Sequence, residues 1–123
     1  MLQDKSQNMH ELSIAMNIVE IVEENAAVAN CKTVSEIDLE IGSMSGVVIE
    51  ALQFALEEAV KSSIMETARI NIIEISARVK CIACAHEFEP EDIIPVCPEC
   101  GHIYADVIRG KEMKVRRIVF SEE

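Results

Sequence analysis

The chain has 123 residues, half of them apolar, with no tryptophan and a formal net charge of −11. That length allows one modest aliphatic core plus a small module held together by a staple, while the missing tryptophan and the excess of acid argue against base stacking and against any nucleic-acid partner. No uninterrupted apolar run approaches the length of a membrane span and no apolar leader opens the chain, so a soluble, cytoplasmic protein with no membrane partner is expected.

In chain order, Met1 to Asn8 is polar and reads as an unstructured lead. Asn8-Met9-His10-Glu11 fits a capping box, with Ser13 as the alternative N-cap. From about Leu12 to Ala29, Leu12, Ala15, Met16, Val19, Val22 and Ala26 recur at helical spacing, and Glu20, Glu23 and Glu24 fall on or near the other side. This predicts an amphipathic helix that stops at Asn30. Cys31, just beyond it, reads as an ordinary small buried residue. Val34 to Gly42 alternates, with Ile37, Leu39 and Ile41 on one side and Glu36, Asp38 and Glu40 on the other, which predicts a strand with one wet face. Gly42-Ser43-Met44-Ser45-Gly46 breaks it, and Leu52, Ala55, Leu56 and Ala59 predict a second helix over Val48 to Val60. Ala68 to Lys80 reads as a second strand whose pattern changes phase at Ile72-Ile73, so a bulge or a change of cover is expected there. Arg109-Gly110-Lys111 is a turn signal, and Glu112 to Phe120 a third strand.

Between the last two strands lie Cys81 and Cys84, then twelve residues, then Cys97 and Cys100. Two Cys-x2-Cys turns facing each other offer four thiolates to a tetrahedral, thiophilic ion. Zinc is the default and mononuclear iron the alternative, because ligand type alone does not separate them; a reducing compartment disfavours the disulfide reading. Four sulfurs close the coordination sphere, so the zinc is structural. Gly101 follows the second pair, where the chain must bend back under the metal, and Ala85 stands at the same place after the first. From Lys80 to Asp106 one basic residue faces six acidic ones, a net of −5 that argues against the nucleic-acid use of such ribbons. The strand glutamates and the acidic ribbon read as solvated faces, with docking as the other use. His86 and His102, each two residues after a ribbon cysteine, read as imidazoles beside the site or facing solvent. The expected fold class is α+β: a three-stranded sheet with two helices on one face, and a four-cysteine zinc ribbon at 80–109 inserted between strands. Residues 1–8 form an extension, and 9–79 with 110–123 form the main domain.

Taken together, Met9-His10-Glu11-Leu12-Ser13-Ile14-Ala15, Ile41-Gly42-Ser43-Met44-Ser45-Gly46-Val47, Glu50-Ala51-Leu52-Gln53-Phe54-Ala55, Cys84-Ala85-His86-Glu87-Phe88, Cys97-Pro98-Glu99-Cys100-Gly101 and Gly110-Lys111-Glu112-Met113 resemble the HypA/HybF family of nickel-insertion accessory proteins for [NiFe]-hydrogenase. The resemblance covers nearly all of Met9 to Ser121. It implies a nickel metallochaperone and not an enzyme, with a HypB-type GTPase as nickel source and the [NiFe]-hydrogenase large-subunit precursor as recipient. It makes the main domain the nickel-binding one, with Met9, His10 and Glu11 as the nickel residues and Cys81, Cys84, Cys97 and Cys100 as the zinc ligands. Nitrogen donors from an imidazole and adjacent chain atoms suit Ni(II). Eight residues precede Met9 here, so its nitrogen is an amide that must lose a proton to bind; a start at Met9, or an amine supplied by Met1, would change the donor set. A zinc-ribbon interaction or nucleic-acid adaptor is the alternative function, and a homodimer is left open.

Overall fold

The computed structural model describes residues 2–92 and 94–121, with side chains from His10 onward. Helix α1 spans Leu2–Ala29, so helical backbone replaces the expected lead and α1 begins ahead of both expected N-caps; the Asn8 side chain lies outside the described residues. Residues 2–11 contain neither glycine nor proline, and once the amphipathic part is nucleated each further residue adds a hydrogen bond at little cost. The buried stripe of α1 is Ile14, Ala15, Ile18, Val19, Val22 and Ala26, joined at its start by Glu11, while Leu12 and Met16 are exposed. The buried face is therefore rotated by about one residue from the expected stripe, because the Glu11 carboxylate takes a place in the core. At the other end Asn30 takes a left-handed φ of 58°, and the Cys31 N–H donates to the Ala26 carbonyl at 2.9 Å. This closes α1 as a six-to-one cap at the predicted stop.

Strand β1 (Thr33–Gly42) buries Val34, Ile37, Leu39 and Ile41 as its alternation predicts, and α2 (Ile49–Ala59) buries Leu52, Ala55 and Leu56. With β2 (Arg69–Ile75) and β6 (Met113–Ser121), β1 forms a three-stranded sheet in the order β2-β1-β6. The wet face of β1 is an ion-paired face. Arg117 Nε donates to Asp38 at 2.7 Å and Lys114 lies 3.6 Å from Glu40, while the Asn71 amide on β2 donates to Asp38 at 2.8 Å. Partners on β1 and β6 run in opposite directions, Ser35 with Val119, Asp38 with Arg117 and Glu40 with Lys114, which is antiparallel order. The Arg117 guanidinium, and next the Asn71 amide, hold the Asp38 carboxyl below its ordinary value.

The predicted strand from Ala68 to Lys80 is two strands. It breaks at Ser76-Ala77, after which β3 (Arg78–Cys81) joins a second sheet, order β4-β3-β5, with β4 (Glu87–Phe88) and β5 (Ala105–Arg109). Both pairings are antiparallel, and the register slips between Arg78 and Val79, so the irregularity lies beyond the expected Ile72-Ile73. The cause is a close crossing of backbones. The Met44 N–H donates to the Gly110 carbonyl at 2.7 Å and the Ser43 N–H to the Ile75 carbonyl at 2.9 Å, while the Ser43 hydroxyl accepts the Ala77 N–H at 3.0 Å. A Cβ on Gly42 would stand 2.0 Å from the Gly110 carbonyl oxygen, and one on Gly110 would stand 2.7 Å from Ala77 Cα. Only glycine fits at these two positions.

By packing, the chain forms two compact units, one of Met1–Leu39, Val47–Ile72 and Val115–Glu123, the other of Glu40–Gly46 and Ile73–Lys114. The second is larger than residues 80–109 because the crossing at Gly42, Ala77 and Gly110 belongs to it. No helix among the described residues is long and apolar enough to cross a membrane.

Candidate metal centre

The four ribbon cysteines converge. Their sulfurs all lie within 4.8 Å of one another, with Cys81 and Cys100 at 3.6 Å and Cys84 and Cys97 at 3.6 Å. Four sulfurs about 2.3 Å from a tetrahedral zinc would stand about 3.8 Å apart, so the donor set fits a structural zinc with little adjustment. Cys81 and Cys97 are buried, and Cys84 and Cys100 exposed.

Two nearly identical turns build this arrangement. The Cys81 N–H donates to the His86 carbonyl at 2.8 Å and the Ala85 N–H to the Cys81 carbonyl at 2.9 Å; in the second turn Cys97 pairs with His102 at 2.9 Å and Gly101 with Cys97 at 2.8 Å. Ala85 and Gly101 both take left-handed backbone, φ 68° and 79°. Backbone N–H groups also point at sulfur, with Ala83 donating to Cys81 Sγ at 3.3 Å. The Cys84 N–H, helped by that of Ala83, lowers the Cys81 thiol to about 7. The Cys84 thiol is pushed up to about 12: the His86 N–H draws it down, but partial desolvation within the cluster and the thiols of Cys97, Cys100 and Cys81 outweigh that pull. Four sulfurs this close cannot all ionise unaided, and a divalent cation supplies the missing charge.

The twin turns make a paired prediction. Nothing lies within 4 Å of a Cβ built on Gly101, so Gly101→Ala meets only the left-handed penalty and should destabilise the zinc-loaded chain by about 1 kcal/mol. Ala85→Gly relieves the same strain and should stabilise by up to about 1 kcal/mol. Urea midpoints of the zinc-loaded variants check both, and equal signs would refute the strain argument.

His86 and His102 contribute carbonyls to these turns and their rings to aromatic pairs. His86 stacks on Phe88 with centroids 6.0 Å apart, and His102 meets Tyr104 edge-on at 5.7 Å. Cys31 is half-buried, its thiol 3.6 Å from the Ala29 carbonyl oxygen.

At the other candidate site the side chains part. His10 is exposed, whereas Glu11 is 2% exposed, and the Met9 side chain lies outside the described residues. Glu11 Oε2 accepts the Val48 N–H at 3.0 Å. Val48 is the N-cap of α2 and makes no side-chain cap bond of its own, so a carboxylate from α1 satisfies a backbone donor where the α2 dipole favours negative charge. The sequence carried only a weak signal for this contact, a valine where a capping side chain is usual.

Comparison with known proteins places these features. The family described as hydrogenase/urease nickel incorporation, metallochaperone, hypA matches residues 9–120. A hydrogenase maturation factor HypA from Parabacteroides distasonis is 44% identical over 115 residues, 94% of this chain and 100% of the relative. Another, from Francisella philomiragia subsp. philomiragia, is 42% identical over 113 residues, 92% and 100% of the two chains. The solution structure of the Ni metallochaperone HypA from Helicobacter pylori superposes with a TM-score of 0.66 at 22% identity, covering 92% of this chain and 98% of that one, a likeness of fold.

Proposed function

This chain belongs to the HypA family of hydrogenase/urease nickel-incorporation metallochaperones, and from that premise we propose that it carries its nickel at His10, in the N-terminal third of α1, while a tetrathiolate zinc stays in place. It is a nickel metallochaperone of hydrogenase maturation. The nickel residues are Met9 through its chain nitrogen, His10 through its imidazole, and Glu11 close by. The observation that supports this reading is the contrast between neighbours: His10 is open to solvent, and Glu11 is fixed in the interior on the Val48 N–H. An ion held by an exposed imidazole and chain nitrogens can leave by ligand substitution when a partner offers better donors. A closed set of four sulfurs keeps its ion.

The chain makes and breaks no covalent bond in this role; it works in the cytoplasm, receiving nickel from a HypB-type GTPase and passing it to the [NiFe]-hydrogenase large-subunit precursor. Homodimer formation would place two such sites in one assembly.

Calorimetric titration of nickel into the zinc-loaded full chain, a version beginning at Met9, and the His10→Ala variant of each tests this reading. A free amine at Met9 should tighten binding by at least about tenfold, and His10→Ala should weaken it by at least about tenfold. Equal affinity in all four proteins would refute it.

A further inference from the structure

In the zinc-bearing unit, two hollows share a wall. One, of about 210 Å³, is lined by Phe88, Ile94, Val96 and Pro98 together with Glu91 and Asp92. The other, of about 430 Å³, is lined by Met44, Gly46, Ala77 and Pro90 together with the same Glu91 and Asp92. Aliphatic side chains stand open on the first, with Ile94 58% and Val96 54% exposed, and the thioether of Met44 gives the second an adaptable apolar surface. The pair of carboxylates between the hollows differs from the ion-paired acids of β1 and β4. Glu36 and Asp38 pair with Arg117, Glu40 with Lys114 and Glu87 with Arg78, whereas Glu89, Glu91 and Asp92 make no ion pair among the described residues. Solvated aliphatic groups around unpaired acid gain little within the chain, but they fit a ligand that brings apolar area and positive charge together.

We propose that this trough receives an extended segment of a partner protein in which an arginine or lysine is flanked, two residues away on each side, by aliphatic residues. In an extended chain, residues i−2, i and i+2 face the same way at steps of about 6.6 Å. The central cation then meets Glu91 and Asp92 while its neighbours enter the two hollows. Charge-assisted hydrogen bonds fix the middle of the segment and burial of aliphatic area holds its ends. The net charge of −5 from Lys80 to Asp106, joined by the −2 of a tetrathiolate zinc, attracts such a segment and repels nucleic acid and anionic lipid alike. This surface goes beyond the nickel reading and does not depend on it.

The test uses the zinc-loaded full chain, isotope-labelled and free of nickel, titrated with the capped heptapeptide Ser-Leu-Ser-Arg-Ser-Leu-Ser. Binding tighter than about 1 mM is expected, with amide shifts centred on Met44, Ala77, Phe88 and Val96. Exchanging the peptide arginine for glutamate, or its leucines for serine, should each weaken binding by about tenfold. The double variant Glu91→Lys, Asp92→Lys changes two exposed side chains and should bind the parent peptide about tenfold less tightly, with its amide dispersion unchanged. Absence of binding at that concentration, shifts centred elsewhere, or equal affinity for the double variant or for either control peptide would overturn the proposal. Concentration-dependent shifts of the same amides without peptide would assign the trough to a second copy of the chain, and would equally overturn it.

Discussion

Replacing Cys81 by serine is expected to unfold the zinc-bearing unit, a larger loss than the metal ion alone. The reason lies in what that unit buries. Among the described residues of Ile73–Lys114, the buried apolar ones are Ala77, Val79, Cys81 and Cys97, and two of these four belong to the cysteine cluster. Glu40–Gly46 adds Ile41. A core this small cannot offset the conformational entropy of about fifty residues, so the free energy of metal binding, on the order of 10 kcal/mol for tetrahedral structural sites, is the folding free energy of the unit. Serine at position 81 removes a thiolate and puts a hydroxyl at a site that is 1% exposed, on a strand paired with Ala105. Tyr104, the one tyrosine of the chain, packs against His102 within this unit and reports on it. Zinc content should fall from one ion per chain to near zero, the near-ultraviolet signal of Tyr104 should vanish, and amides of 78–109 should lose dispersion while those of α1 and α2 keep theirs. A strong chelator should do the same to the native chain. Acidification should follow the same course, since protons compete with zinc for the sulfurs. Retained dispersion in 78–109 after complete zinc removal would show that the unit has a core of its own.

The second large effect is expected at Glu11. Its carboxylate is the one charged group buried among the described residues, and it satisfies the Val48 N–H at the start of α2. Glu11→Ala removes the partner of that part-buried donor and opens space beside Ile14 and Ala15, for a combined loss of about 2 kcal/mol. Glu11→Gln keeps an oxygen acceptor but gives up the charge facing the α2 dipole, and should lose only about 1 kcal/mol. Urea unfolding of zinc-loaded protein separates the two, with the midpoint falling at unchanged slope. A glutamate whose whole task was to touch nickel would leave the stability of the nickel-free, zinc-loaded chain unaltered on conversion to alanine, and that result would remove the structural role assigned to it here. Nickel titration of the Gln variant then asks whether the charge also serves the ion.

Several parts of this protein could be read without any structure because their physics is local. Cys81, Cys84, Cys97 and Cys100 declare a tetrathiolate site by spacing, since a two-residue interval alone puts two sulfurs on one turn. The alternation of β1 fixes which side chains face inward, since a strand's period of two leaves one choice once Ile37, Leu39 and Ile41 must be buried. Leu52, Ala55 and Leu56 do the same for α2, and Asn30 marks the end of α1 because it accepts left-handed backbone.

Other features depended on partners far along the chain. Glu11 enters the buried face of α1 because a backbone donor 37 residues away has no other side chain to satisfy it, and no periodicity in α1 records that need. The run from Ala68 to Lys80 keeps its strand-like pattern throughout, yet it divides at Ser76-Ala77, where Gly42 and Gly110 bring other backbone within contact. The glutamates of β1 have the alternating pattern of a solvated face, and only β6 places Arg117 and Lys114 across from them. Local chemistry and periodicity were therefore enough to determine the four-cysteine cluster, β1 and the second helix. Tertiary structure decided which carboxylates are buried, paired or left open, because a charged group settles where a distant donor or cation compensates its desolvation.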